Sequence, residues 1–213
     1  MRSCWLRRGE GKDCLLFMAG WGMGPEPFQD ADFGCADVLM LYDYRSMDDS
    51  FLAELPQEKP LHLLAWSMGV WAAAWLAEHR PCFAALRFST ATAVGGTLRP
   101  IDEQRGIPTE SFEKMLDEFS PLVLENFYRS MFSSSEEAER FLVRRPQQRP
   151  WQELREELRC LRDLCHSCPP PPDIYSRRIV TSRDRIFPAR NQLRAWGRDC
   201  CETLPLPHFP FQA

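Results

Sequence analysis

LHLLAWSMGVWAAAWLAEHR, running from Leu61 to Arg80, is the stretch that decides the fold. Its first six residues are apolar apart from His62 and read as a buried strand. The chain then turns at Ser67 into a helix rich in Ala and Trp. In a nucleophile elbow a serine sits in a strained turn between strand and helix, and the residues two before and two after it must be small because the two arms nearly touch. Ala65 and Gly69 meet that demand. A serine here could also be an ordinary helix N-cap, but the strand, turn and helix around it favour the elbow.

On either side the pattern repeats. CLLFM (Cys14 to Met18), DVLMLY (Asp37 to Tyr42) and CFAALRF (Cys82 to Phe88) are short apolar runs separated by Gly, Pro and polar turns, the signature of buried parallel strands joined by crossovers. From about Arg99 to Cys168 strand signals give way to the helical patterns SFEKMLDEFSPLVLENFYRSMF, SSEEAERFLV and WQELREELRCLRDL. Strand character returns at DIYSRRIVTS (Asp173 to Ser182), followed by the helix ARNQLRAWGR and a last strand at CETL. The predicted architecture is α/β, of the α/β-hydrolase type: a mostly parallel sheet with helices on both faces, a core of residues 1–98 and 169–213, and a helical cap insertion at 99–168.

An elbow serine needs a base and an orienting acid, which in this fold follow it in the order Ser, Asp or Glu, His. Of four histidines, His62 belongs to the strand before the elbow and is expected buried beneath it, His79 ends the next helix, and His166 ends the insertion. His208, in LPLPHFPF after the last strand, is the base that elimination leaves, on the kind of loop where strand C-termini deliver catalytic groups. Asp184 follows an apolar strand, has Pro188 beyond it to start a helix, and precedes His208 in the required order. The oxyanion donors expected are the backbone N–H of Met68 and, from the turn Ala19 to Gly22, that of Trp21.

Composition excludes other classes. With 213 residues, 44% hydrophobic and 12% aromatic, the chain has ample core. A net charge of −4 argues against a nucleic-acid binder. The N-terminus MRSCWLRRGEGK lacks the apolar stretch and cleavage site of a secretory signal, and the longest nearly apolar run, Leu61 to Ala77, falls short of the ~20 residues of a membrane span. The expectation is a cytoplasmic monomer with no membrane or nucleic-acid partner. Nine cysteines then read as reduced thiols. Among Cys160, Cys165, His166 and Cys168 only one pair has zinc-like spacing, so packed thiols are favoured over a metal site.

The residues also resemble a known family. FMAGWGM, LYDYRSM, LLAWSMGVWAAAW, PIDEQRGIPTESFEKML, DRIFPARNQ and LPHFPF, which span nearly the whole chain, are similar to the BioG-type pimeloyl-[acyl carrier protein] methyl ester esterases of biotin synthesis. The insertion stretch is the most specific of these. Departures from common hydrolases are Ala65 in place of Gly and the lack of a His before Gly20. The resemblance implies Ser67, Asp184 and His208 as a triad, Trp21 and Met68 as oxyanion donors, no metal or organic cofactor, and hydrolysis of a methyl ester on a carrier-bound pimeloyl chain.

A carrier protein is acidic and bears a phosphate, so it calls for exposed arginine. All but Lys12, Lys59 and Lys114 of the 26 basic residues are Arg. Acids dominate from Asp102 to Glu139, and arginines outnumber them from Arg140 to Arg162. Arg140, Arg144, Arg145, Arg149, Arg155 and Arg162 are the expected carrier-binding residues, whereas Arg159 has Glu156 and Asp163 at helical pairing distance. Competing readings are a thioesterase or general carboxylesterase using the same triad, and a non-catalytic binding module on a hydrolase fold.

Overall fold

The structure is a computed structural model that describes residues 1–9, 11–34, 36–144 and 149–211. Seven strands form one sheet in the order β1-β3-β2-β4-β5-β6-β7. They are β1 (Arg2–Arg7), β2 (Cys14–Met18), β3 (Asp37–Tyr42), β4 (Leu61–Trp66), β5 (Phe88–Val94), β6 (Arg177–Thr181) and β7 (Glu202–Leu204). Only β1 is antiparallel to its neighbour; every other pairing is parallel. The apolar runs of β2, β3 and β4 occupy the middle of the sheet, where both faces are covered, and that is why they read as continuous hydrophobic segments.

Helix α1 (Met68–His79) follows β4 directly, and α2 (Pro81–Ala84) leads toward β5. Between β5 and β6 lie α3 (Thr109–Asp117), α4 (Pro121–Ser130), α5 (Ser135–Arg144) and α6 (Trp151–Ser167), and α7 (Ala189–Trp196) joins β6 to β7. No helix among the described residues is long and apolar enough to cross a membrane.

Two expectations need correction, and one strand lies outside the predicted set. The run Cys82 to Phe88 is not a strand: Pro81 opens the short helix α2, which buries Phe83, and the strand begins at Phe88 and carries the small and β-branched residues FSTATAV. The charged N-terminus forms β1, whose arginines are tolerated because an edge strand faces solvent. His62 is half-buried rather than hidden, with Nδ1 2.8 Å from Thr90 Oγ1.

Register sets up one end of the sheet. Met18 pairs with both Leu41 and Ala65, and Trp66 pairs with Val94. The turn after β2, the turn after β4 and the loop after β5 therefore emerge side by side. The loops after β6 and β7 leave from the same end, the place where open α/β sheets hold their ligands.

Candidate active site

Ser67 sits in the turn from β4 into α1 with φ 58° and ψ −126°. A positive φ on a residue with a Cβ is strained and persists only where its surroundings enforce it. Here the Ser67 N–H donates to the Val94 carbonyl at 3.0 Å. Gly69 packs so closely on β2 that a Cβ would run into the carbonyl oxygens of Met18 and Ala19. Gly20 faces the elbow from across the turn, where a Cβ would meet the Ser67 Cβ at 3.1 Å and the Trp66 ring at 3.0 Å. The Ser67 hydroxyl does not cap α1, so the N-cap explanation fails.

His208 and Asp184 are both buried, with His208 Nδ1 2.8 Å from Asp184 Oδ2. Because a carboxylate only accepts, Nδ1 carries the hydrogen and Nε2 is left to take a proton. Asp184 is itself tightly held. Its Oδ1 accepts the backbone N–H groups of Ile186 and Phe187 at 2.8 Å each, and its Oδ2 also accepts the Thr181 hydroxyl at 2.8 Å and the Gln192 amide at 3.3 Å.

The imidazole is fixed from other sides as well. Phe187 stacks on it with ring centroids 6.0 Å apart, and Trp66 Nε1 donates to the His208 carbonyl at 2.7 Å. The next residue is tied to the four-helix segment by Phe209 N–H donating to the Met131 carbonyl at 3.1 Å. Trp66, Phe187, Thr181 and Gln192 act on this pair through space, and their one sequence signal is proximity to Ser67 or Asp184.

The turn Ala19 to Gly22 is anchored at three points. Tyr44 Oη donates to the Ala19 carbonyl at 2.6 Å, Tyr128 Oη to the Gly22 carbonyl at 2.8 Å, and Trp21 Nε1 to the Leu154 carbonyl of α6 at 2.9 Å. Trp21, Ser67 and Met68 together line a cavity of about 230 Å³, otherwise walled mainly by Ile107, Pro108, Phe112, Met115, Phe127 and Leu158. The residues expected at the centre of the site thus share one apolar cleft, with the Asp184–His208 pair in the adjoining loops.

The arginines are another matter. Arg149 is 5% exposed and lies between Asp43 at 3.1 Å and Glu157 at 2.8 Å. It is a buried tie between the loop after β3 and α6, which rules it out as a docking contact. Burial pushes the Glu157 carboxyl above its ordinary pKa against the pull of Arg149. Arg162 is paired with Glu113 of α3 at 3.3 Å and with Asp163 at 2.8 Å, so it is not a free surface charge either.

Arg159 reverses the expectation in the other direction. Glu156 turns to Arg45 and Asp163 to Arg162, leaving Arg159 exposed without an ion pair among the described residues. Arg140 is exposed and Arg155 half-buried. Arg145 lies outside the described residues, as does the side chain of Arg144. No group of three or more His, Cys, Asp or Glu among the described residues is placed to hold a metal ion. The Cys165 thiol, in the cysteine-rich end of α6, is pushed well above its ordinary pKa by burial.

The family pattern described as "Pimeloyl-ACP methyl esterase BioG" matches residues 2–211. The crystal structure of BioG from Haemophilus influenzae superposes with a TM-score of 0.81 at 28% identity, covering 96% of this chain and 91% of that one. A lipase-esterase related protein from Clostridium acetobutylicum shares the fold, with a TM-score of 0.61 at 13% identity over 98% of this chain and 92% of that one. A Bacteroides fragilis protein named malonyl-[acyl-carrier protein] O-methyltransferase is 38% identical over 192 residues, which is 90% of this chain but 38% of that protein. This chain therefore corresponds to about two fifths of the B. fragilis protein's length. With an esterase fold and a family match along almost its whole length, the chain belongs to the BioG family of pimeloyl-ACP methyl esterases.

Proposed function

We propose that the protein hydrolyses the methyl ester of a pimeloyl chain carried on acyl carrier protein, with Ser67 as nucleophile, His208 as base and Asp184 as the acid that orients it. The observations that carry this reading are the strained, non-capping Ser67 and the imidazole of His208, whose Nδ1 is bound by Asp184 at 2.8 Å and whose backbone carbonyl accepts from Trp66, the residue before Ser67, at 2.7 Å. His208 Nε2 takes the hydroxyl proton as Ser67 Oγ attacks the ester carbonyl. The N–H groups of Trp21 and Met68 receive the developing oxyanion. Protonated His208 returns the proton to the methoxy oxygen and methanol leaves. Water, deprotonated by the same imidazole, then cleaves the acyl-enzyme to the free carboxylate and restores Ser67.

The cavity supports a slim acyl chain. At about 230 Å³ it is smaller than the ~300–1,000 Å³ of sites for drug-sized ligands, and its aliphatic and aromatic walls suit a run of methylenes. The B. fragilis relative adds a chemical argument: it is named for methyl transfer onto a malonyl group on acyl carrier protein. A carboxyl methyl ester on a carrier-bound chain is what such a transfer creates and what an esterase removes. The partner is accordingly the acyl carrier protein itself.

The test is turnover of carrier-bound methyl pimelate by wild type and Ser67→Ala, together with fluorophosphonate labelling. Loss of a nucleophile is expected to cost on the order of 10³-fold or more, with label found on Ser67 in the wild type alone. A folded Ser67→Ala protein of near-normal activity contradicts the assignment, and absence of labelling favours a binding module.

A further inference from the structure

Two residues other than glycine adopt a positive φ among those described, Ser67 at 58° and Asp43 at 61°. The first is the elbow. The second stands directly after β3, in the stretch LYDYRSM (Leu41 to Met47), and takes no part in the triad. Backbone strain of this kind persists only where the surroundings enforce it, and it gathers at functional sites. At Asp43 three guanidinium groups hold the carboxylate: Arg45 at 2.8 Å, Arg2 at 3.1 Å and Arg149 at 3.1 Å.

The left-handed residue delivers Tyr44, which is fully buried. Its backbone N–H donates to Glu157 Oε1 of α6 at 3.0 Å, and its hydroxyl, at the far end of the side chain, donates to the Ala19 carbonyl at 2.6 Å. Tyr44 is thus held by Glu157 and in turn holds the first residue of the turn Ala19 to Gly22. The same face of α6 meets the site twice more. The Leu154 carbonyl accepts from Trp21 Nε1 at 2.9 Å, and Leu158 lines the cavity at Ser67.

Glu157 is the charged residue of that face, fully buried among Leu154, Leu158 and Leu161. Its ion pair with Arg149 at 2.8 Å does not account for a carboxylate there, because a buried pair is commonly no more stable than packed apolar side chains of similar volume. The Tyr44 N–H does account for it. That group lies beyond β3, buried and without a strand to pair with, and a buried amide left without an acceptor is costly.

We infer that Glu157 is a positioning residue for the oxyanion hole: its carboxylate fixes the Tyr44 backbone, and Tyr44 fixes the turn whose Trp21 N–H meets the developing oxyanion. The inference rests on the esterase reading above and adds how a helix between β5 and β6 reaches the chemistry. A misplaced oxyanion donor weakens the transition state more than the bound ester, so the effect falls on kcat rather than KM.

The test compares two uncharged pairs in the full chain, Arg149→Met/Glu157→Gln and Arg149→Met/Glu157→Met. Asp43 keeps Arg45 and Arg2 in both, and only the first pair retains an acceptor for the Tyr44 N–H. Thermal melting checks folding. Fluorophosphonate labelling of Ser67 to completion counts the competent sites to which kcat on methyl butyrate, a small soluble ester, is referred. The pair with Gln is expected to stay within about threefold of wild type in kcat, and the pair with Met to fall about tenfold or more at nearly constant KM. Adding Tyr44→Phe to the pair with Met is expected to cost little further, because both changes act through the Ala19 carbonyl. Should the pair with Met not fold, Glu157→Gln alone replaces it. Arg149 then competes with the Tyr44 N–H for a single amide oxygen, and kcat is expected about fivefold or more below that of the pair with Gln. Equal kcat in the two variants compared, or a full additional loss from Tyr44→Phe, overturns the proposal while the esterase reading stands. A wild type that neither labels at Ser67 nor hydrolyses methyl butyrate overturns the esterase reading itself, and this inference with it.

Discussion

Replacing Asp184 by Asn keeps the shape of the side chain and removes one of its acceptor oxygens. Five donors converge on the carboxylate: two rigid backbone N–H groups on Oδ1, and His208, Thr181 and Gln192 on Oδ2. An asparagine oxygen kept on Ile186 and Phe187 turns its NH₂ toward His208. Nδ1 must then accept, the ring hydrogen moves to Nε2, and the imidazole can no longer take the Ser67 proton. The opposite flip sets an NH₂ against two backbone donors that cannot move. Gln192 cannot relieve the conflict cheaply, since turning its amide gives up a 2.6 Å bond to the Phe187 carbonyl.

The corresponding wrong-tautomer substitution in serine proteases lowers turnover about 10⁴-fold, or ~5.4 kcal/mol of barrier at 1.36 kcal/mol per decade. Stability is expected to fall by ~1–3 kcal/mol for the mismatched buried donors. The assay is kcat on methyl butyrate, with a melting curve to show that the variant is folded. Activity within tenfold of wild type in a folded Asp184→Asn protein would refute the claim that Asp184 fixes the tautomer of His208.

Arg149→Met leaves Asp43 and Glu157 without their shared buried cation and is expected to destabilise the fold by ~3–5 kcal/mol, read as a fall in Tm; a docking residue would instead raise carrier KM at unchanged Tm. Tyr44→Phe strips the Ala19 carbonyl of its 2.6 Å donor at a cost of ~1–3 kcal/mol, and because that carbonyl anchors the turn carrying the Trp21 N–H, kcat on methyl butyrate is expected to fall with KM nearly constant. Equal changes in both constants would contradict that role. The hydrogen-bonded Lys59 ammonium, with the Gly11 and Gly9 N–H groups, holds the Asp37 carboxyl below its ordinary pKa. A depressed folded pKa stabilises above the unfolded value of ~3.9 and is lost as pH falls through the folded value. Lys59→Met is accordingly expected to flatten the acid limb of Tm measured between pH 6 and 3, and superimposable limbs would count against the pairing.

The sequence was readable where one physical cause dominates. β2, β3 and β4 are buried on both faces and need apolar runs, and the elbow needs Ala65 and Gly69 for steric reasons, so both could be found by inspection. Strand β5 was harder because FSTATAV alternates small and polar side chains, whereas the more apolar CFAALRF before it is a proline-started helical turn. The edge strand β1 was hidden by its arginines. In the site, Ser67, Asp184 and His208 follow a known chain order, while Tyr44, Trp66 and Gln192 act across 25, 142 and 8 residues of chain through hydrogen bonds with no sequence pattern. Arg149 and Arg162 were misread for the same reason. Helical spacing identifies partners on the same helix, but Arg149 is neutralised by Asp43 from the sheet side and Arg162 by Glu113 of α3.

The most direct measurement of the central claim is a product analysis with carrier-bound methyl pimelate as substrate, scoring methanol and free carrier thiol in the same reaction. The Asp184–His208 pair, the small apolar cavity at Ser67 and membership in the BioG family are the basis for expecting methanol release in step with ester loss, the acyl chain staying on its carrier with a new terminal carboxylate. Release of carrier thiol without methanol would make the protein a thioesterase and contradict the account.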